Sequence, residues 1–371
     1  MKISCPREPL LSAFQTAATV APTRSPKSVI CNVKLEASGE ILTLTATDME
    51  VGIRIEVPGV EVEVDGQALV PVSQFSGMLR ESHDEKLSIE ADAQGTVVRG
   101  QRSELRLAGQ NPDEFPSVAA FDGTSYHEVP ARLFRELVRR TLFATDAESS
   151  RYALGGVLLE MDSEQITAVA TDGRRLAKMT GPSQSVDGHQ TGEAMTIVPS
   201  RAMQLIERAF SDADAEIQVA ARANDIVVRS PRVTINARLV EGRFPKWKEV
   251  FPKRTEAIKV ELTVGPFHSA LRQAAIVTNE ESRGIDFSFG NGSLVMSGAT
   301  AELGQSRVEL PVAYDGDEIS VKLYHRFVSD FLKVLDPEKT ITVDVESGEA
   351  AALLSTDDGY GYVVMPLAGE S

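Results

Sequence analysis

The chain repeats itself three times, and this limits its fold more than any other feature of the sequence. Three segments open alike: "MKISCPREPLLSAFQTAATV" from Met1, "SYHEVPARLFRELVRRTLFAT" from Ser125 and "AIKVELTVGPFHSALRQAAIVT" from Ala257. In each, apolar residues first alternate with period two, as in a half-buried strand. They then shift to helical spacing, as at Leu133, Phe134, Leu137 and Val138. A second trio follows the same plan: "GQALVPVSQFSGMLR" from Gly66, "EAMTIVPSRAMQLIERAF" from Glu193 and "DEISVKLYHRFVSDFLKVL" from Asp317. Pro71 and Pro199 stand just before two of these helices, so Ser73 and Ser200 are the expected N-caps.

β-patterned runs lie between the helices of each third: "EILTLTATDMEVGIRIEV", "EQITAVATDGRRLAKMTG" and "GSLVMSGATAELGQSRVEL". "ATD" recurs at Asp48 and Asp172, 124 residues apart. The simplest account is three homologous domains, each with two strand-and-helix half-units. Strands outnumber helices, so the predicted class is α+β with antiparallel sheets. The expected boundaries are 1–125, 126–253 and 254–371. "NPDEFPSVAAFDGTS" from Asn111 and "EGRFPKWKEVFPKRTEA" from Glu241 serve as matching linkers.

The net charge of −16 argues against nucleic acid only if the charge is evenly spread. It is not. The helical windows 10–20, 73–80, 131–143, 200–210, 266–277 and 324–335 hold ten Arg and Lys against Glu136, Glu207 and Asp330. The helices therefore sum to +7 and the rest of the chain to −23. Helices that share one face would make a basic surface on an acidic body; solvated, unrelated basic faces are the plainer alternative.

Chemistry is harder to find. The five histidines lack metal-ligand spacing, and Cys5 and Cys31 form neither a disulfide framework nor a metal pair. No GxxxxGK[ST] phosphate loop and no GxSxG elbow occurs, and "GNGS" at Gly290 reads as a hairpin turn. "ATDGRRLAK" from Ala170 has an aspartate beside paired arginines, which raises a hydrolase acting on phosphate esters through Asp172. A general base, a metal cluster and a phosphate loop are missing. Because "ATDME" stands in the equivalent place one domain earlier, the turn reads as structural, with Gly-Arg-Arg-Leu an addition of the second domain. No cofactor is expected. No apolar run reaches the roughly 20 residues of a membrane span, and the N-terminus lacks signal-peptide features, so a cytoplasmic protein is expected.

"RYALGGVLLE" (151–160), "VATDGRRLA" (169–177), "EGRFPKW" (241–247), "NEESRG" (279–284) and "YVVMPL" (362–367) resemble, in order and over the whole chain, the bacterial sliding clamps, the beta subunits of DNA polymerase III. The resemblance implies three clamp domains with sheets outside and two helices each inside. It also implies a head-to-tail homodimer closed into a ring around duplex DNA, holding the replicative polymerase without catalysis of its own. The expected partners are double-stranded DNA bound without sequence preference, the polymerase alpha subunit, the clamp loader and repair polymerases. A repeat protein that assembles without DNA is the alternative of a different class.

By the same resemblance, a pocket for short linear peptides falls on Leu154, Thr171, Gly173, Arg174, Arg175, Leu176, Pro245, Val250, Phe327, Val363, Val364, Met365, Pro366 and Leu367. Such Met, Val, Leu and Pro side chains suit Leu or Phe anchors, and Arg174 and Arg175 suit peptide carbonyls or acidic flanks. Arg174 stands where the family often has His, and Glu249 where a basic residue is common. The tail "AGES" runs past the usual end and could border the pocket. For DNA, the resemblance points to Arg24, Arg80, Arg201 and Arg283, and the charge argument adds Arg139 and Arg140.

Overall fold

The computed structural model describes residues 1–146, 148, 153–192, 195–210, 212, 214–252, 257–279 and 281–367. Its helices are α1 (Arg7–Ala18), α2 (Val72–Glu81), α3 (Ala131–Thr141), α4 (Ser200–Ala209), α5 (Trp247–Val250), α6 (Val264–Ala274) and α7 (His325–Lys333). None is long and apolar enough to cross a membrane. Six fall where the periodicity predicts them. The seventh, α5, lies in a stretch read as linker, where Phe244 and Trp247 are buried. The described part of that linker is therefore packed.

The chain divides into two compact units: Met1–Arg135 with Ser183–Leu239, and Glu136–Pro182 with Val240–Ser371. Unit 1 holds a five-stranded sheet in the order Glu61–Val64, Lys2–Pro6, Lys86–Asp92, Gly95–Arg99, Glu104–Ala108. Its nine-stranded sheet runs Gln184–Val186, Tyr126–Pro130, Glu216–Ala221, Asp225–Arg229, Val233–Arg238, Val51–Val57, Ile41–Thr47, Asn32–Ser38, Gly66–Pro71. At the centre of that sheet, Val233–Arg238 pairs antiparallel with Val51–Val57, with Ile235 opposite Ile53. Helices α1 and α2 pack together through Phe14 and Phe75, whose ring centroids are 4.7 Å apart. Leu10, Ala13, Phe14 and Ala17 form the buried stripe of α1, at the spacing that puts them on one face.

In unit 2, seven strands run Gly156–Met161, Gln165–Thr171, Arg175–Pro182, Tyr360–Val364, Ala352–Ser355, Thr340–Val345, Ile258–Thr263. A four-stranded sheet runs Gly304–Pro311, Ser293–Thr300, Gly284–Gly290, Ile319–Tyr324. The central seam is again antiparallel, Arg175–Pro182 against Tyr360–Val364, with Leu176 opposite Val363. Phe331 of α7 stacks on Tyr360 and Tyr362 at 5.0 and 5.2 Å, which buries that helix against the last strand.

One local expectation holds and another needs adjustment. "GNGS" does form a hairpin turn, with Asn291 and Gly292 both at positive φ and Gly290 opposite Ser293. Ser73 and Ser200, however, are not N-caps. Each helix begins one residue after proline, and Pro71 and Pro199 occupy the cap position without a side-chain hydrogen bond. The ring's fixed φ already carries the extended strand into the first turn, so the serines fall inside the helix.

Candidate functional site

The "ATDGRRLAK" hairpin is built by its own side chains. Asp172 Oδ1 accepts the backbone N–H groups of Arg174 and Arg175 at 2.9 and 3.0 Å. Thr171 Oγ1 donates to the Arg175 carbonyl at 2.6 Å and accepts from Gly173 N–H at 3.0 Å. Gly173 takes φ +86°, a conformation that costs an L residue about 1–2 kcal/mol. Oδ1 of Asp172 is thus engaged by the turn itself.

Arg175 projects inward from this turn. Its Nε donates to Asp172 Oδ2 at 2.9 Å, Nη1 to Asp330 Oδ2 of α7 at 2.8 Å, and Nη2 to the Phe143 carbonyl at 2.7 Å. The guanidinium carbon lies over Phe327 at 4.4 Å and over Phe143 at 5.3 Å. Burial disfavours this charge, but Tyr362, Asp330 and Asp172 outweigh it and hold the guanidinium above its ordinary value. Tyr362 in turn donates to the Phe327 carbonyl at 3.0 Å. Arg175 was expected to offer hydrogen bonds to a peptide. Each of its three nitrogens already donates within unit 2, and the side chain, 10% exposed, lies against Phe327.

The remaining expected pocket residues all fall in unit 2. Leu176 sits opposite Val363, and Arg175 opposite Val364. Met365 N–H donates to the Arg174 carbonyl at 2.9 Å, and Leu367 N–H to the Lys322 carbonyl at 2.8 Å. Leu154, Thr171, Leu176, Val363 and Val364 are buried and form a floor. Gly173, Arg174, Val250 and Met365 are exposed; Pro245, Phe327, Pro366 and Leu367 are half-buried. The α5 segment joins the seam through Phe251, over which Lys178 Nζ lies at 5.8 Å. Beside the apolar surface is a depression of about 370 Å³ lined by Thr145, Asp146, Asp172, Arg174, Tyr324 and Phe327. Sequence reasoning missed Thr145, Asp146 and Tyr324, because no pattern linked these separate segments. The "AGES" tail lies outside the described residues.

The expected DNA residues separate by environment. Arg24 and Arg80 are exposed. Arg201 is exposed, pairs with Asp48 and donates to the Val20 carbonyl at 3.2 Å. Arg139 is exposed and pairs with Glu136 at 2.9 Å. Arg140 is a correction: it is buried, held by Glu136 at 2.8 Å and Asp358 at 2.9 Å, and lies over Tyr360. The helical stripe Phe134, Leu137, Val138 turns residue 140 toward the core, so this charge is structural. Arg283 lies over the Tyr324 ring at 5.2 Å, beside the depression.

In unit 1, His127 and His189 meet at 2.6 Å between their Nδ1 atoms, both buried. Ala221 N–H donates to His189 Nε2 at 3.1 Å. The Ala221 carbonyl also lies 3.3 Å from that nitrogen, so the backbone of Ala221 fixes the ring on one side and His127 on the other. The 62-residue gap hid this pair from the sequence. No group of three or more His, Cys, Asp or Glu among the described residues is placed to hold a metal.

A repeat scaffold of antiparallel sheets with an exposed apolar surface is what the fold and this site define. Models of the DNA polymerase III beta subunit match its N-terminal domain at residues 1–119, its central domain at 128–246 and its C-terminal domain at 248–368. The beta sliding clamp of Pseudomonas putida is 30% identical, over 99% of this chain and 100% of that one. That of Escherichia coli is 26% identical over 99% and 100%. The crystal structure of the DNA polymerase III subunit beta from Pseudomonas aeruginosa superposes with a TM-score of 0.91 at 28% identity, covering all of both chains. The chain belongs to the DNA polymerase III beta subunit family, the bacterial sliding clamps, and has three clamp domains.

Proposed function

We infer that this clamp closes as a head-to-tail homodimeric ring around duplex DNA in the cytoplasm and tethers the replicative polymerase. Its domains divide at 1–125, 126–253 and 254–371. The alpha subunit, the clamp loader and repair polymerases dock on unit 2 through short peptides. The observation that carries the docking site is the seam between Thr171–Leu176 and Val363–Leu367. It sets exposed Met365, whose N–H donates to the Arg174 carbonyl, beside the buried pair Leu176 and Val363. Met offers an adaptable apolar contact, and a rigid floor lowers the ordering cost of binding. Arg24, Arg80, Arg139 and Arg201 meet phosphates, a contact that reads no bases and so permits sliding.

The test is retention on nicked circular DNA after loading by a clamp loader. Retention on circles with loss through the ends of linearised DNA is expected; equal retention on both overturns the ring. For the docking site, Met365→Ala with Leu367→Ala is expected to weaken a clamp-loader peptide at least tenfold while retention on circles persists. Unchanged peptide affinity removes this site.

A further inference from the structure

The two units fill one corresponding place in the repeat in opposite ways. Backbone hydrogen bonds set the correspondence. Ala131 N–H donates to the Ala215 carbonyl at 2.9 Å in unit 1, as Val264 N–H does to the Lys339 carbonyl at 3.0 Å in unit 2. Glu56 N–H donates to the Arg232 carbonyl at 2.9 Å, as Thr180 N–H does to the Gly359 carbonyl at 3.2 Å. Val233 sits opposite Ile55, and Tyr360 opposite Met179. Thr16 is the tenth residue of α1, as Arg140 is of α3.

In unit 2 this place is full. Arg140 joins Glu136 and Asp358 and lies over the Tyr360 ring at 5.4 Å. Lys339 Nζ reaches Asp358 at 2.6 Å and Asp357 at 3.1 Å. In unit 1 each of these side chains has an uncharged counterpart, none larger than valine. Ser12 stands for Glu136, Thr16 for Arg140, Ala215 for Lys339, Ser230 for Asp357, Pro231 for Asp358 and Val233 for Tyr360. All six line a cleft of about 650 Å³ that lies wholly in unit 1. Small-molecule sites run from about 300 to 1,000 Å³. Ile55, Phe210 and Ile217 give the cleft a buried apolar wall.

The charge at its rim differs as well. Arg208 is the ninth residue of α4, where α7 has Lys333. Lys333 pairs with Asp330 at 3.3 Å, but α4 carries Leu205 in the place of Asp330. Arg232 stands where unit 2 has Gly359. Both arginines line the cleft, are exposed, and form no ion pair among the described residues. Of the two acids in the lining, Asp212 accepts the Asp214 N–H through Oδ1 at 3.2 Å. Glu56 alternates onto the strand face opposite Ile55 and Val57.

We propose that this cleft binds a small organic phosphate of the size of a nucleoside monophosphate. A phosphate monoester carries roughly two negative charges and three acceptor oxygens, which answer the guanidinium forks of Arg208 and Arg232 together. The organic body takes the volume that Arg140, Lys339 and Tyr360 occupy in unit 2.

Isothermal titration of the whole clamp at low salt compares AMP, adenosine and inorganic phosphate. AMP is expected to bind saturably, with adenosine and phosphate each at least about tenfold weaker. Arg208→Gln and Arg232→Gln, both at exposed positions, should each weaken AMP about fivefold to tenfold. Thr16→Arg with Pro231→Asp rebuilds the unit 2 pair inside the cleft and should abolish AMP binding. Adenosine as tight as AMP overturns the anion site, and phosphate as tight as AMP overturns the organic body. No saturable AMP binding by wild type, or AMP affinity unchanged in both glutamine variants, overturns the proposal. A short blunt DNA duplex that displaces AMP at equal phosphate concentration overturns the small-molecule assignment in favour of backbone phosphate.

Discussion

The same turn is built once in each unit, and the two copies serve different ends. In unit 1, Asp48 Oδ1 accepts the N–H groups of Glu50 and Val51 at 3.0 and 2.7 Å. Thr47 Oγ1 donates to the Val51 carbonyl at 2.9 Å and accepts from Met49 N–H at 3.0 Å. Residue for residue this is the Thr171–Arg175 turn, with Met49 at φ +81° where Gly173 has +86°. The seams correspond as well: Arg238 N–H donates to the Glu50 carbonyl at 2.9 Å, as Met365 does to Arg174. What differs is the side chains. Unit 1 sets Arg238 and Glu50 as an ion pair where unit 2 has Met365 and Arg174. It buries Val51 where unit 2 has the inward Arg175. The turn is therefore scaffold, and the proposed docking surface of unit 2 follows from the side chains hung on it.

The largest test of this comparison is at the fifth turn position. Arg175→Ala leaves Asp172 and Asp330 facing a site without their cation, and about 3 kcal/mol of unit 2 stability is expected to go. Val51→Ala removes two buried methyl groups and should cost about 1–2 kcal/mol. Hydrogen exchange along 175–182 and 51–57 compares them. Equal losses would mean that Arg175 is an ordinary surface pair.

A smaller effect is expected at the third position, with opposite signs. Gly173→Ala meets no atom within 4 Å, so its cost is that of the backbone, partly offset by the smaller entropy of alanine in the unfolded chain. Met49→Gly relieves the same backbone cost, partly offset by glycine's entropy. A loss of about 0.5 kcal/mol in unit 2 and a similar gain in unit 1 are expected from thermal unfolding. Matching signs would show that the turns are not equivalent.

The smallest effect is in pH. Burial pushes the His189 imidazole below its ordinary value. The unfolded chain therefore takes up protons first, and the stability contributed by the pair is lost as pH falls through about 6.5. In unit 2, burial opposes the Asp358 carboxylate, but Lys339, Thr356 and Arg140 hold it well below the usual range. Its contribution is present above about pH 4 and is lost only in stronger acid. Exchange protection between pH 7 and 5.5 should thus fall at Tyr126–Pro130 and persist at Tyr360–Val364. Simultaneous loss would contradict the assignment.

The repeat, the six long-period helices and the antiparallel class were legible because period two and period 3.6 are local patterns. The docking surface was legible only in part. Leu176, Val363 and Met365 lie in contiguous motifs, whereas Arg175 finds Asp330 across 155 residues. Nothing near Arg175 in sequence distinguishes a matched guanidinium from an available one. Arg140 was misplaced for a related reason: a charge count over a helix does not say which charges its buried stripe carries inward. Tyr324 ends a strand and reads as core alternation until Arg283 is seen over its ring.

The placement of the last strand has a consequence for biosynthesis. Tyr360–Val364 lies between Arg175–Pro182 and Ala352–Ser355, in the interior of its sheet. All segments of unit 1 have been made once residue 239 is out. Arg175–Pro182 must wait for strand Tyr360–Val364, which comes after all the other strands of that sheet. The hairpin that bears Arg174 thus stays an open edge while the ribosome adds every residue between the two strands, and unit 2 completes its sheet only when Tyr360–Val364 emerges.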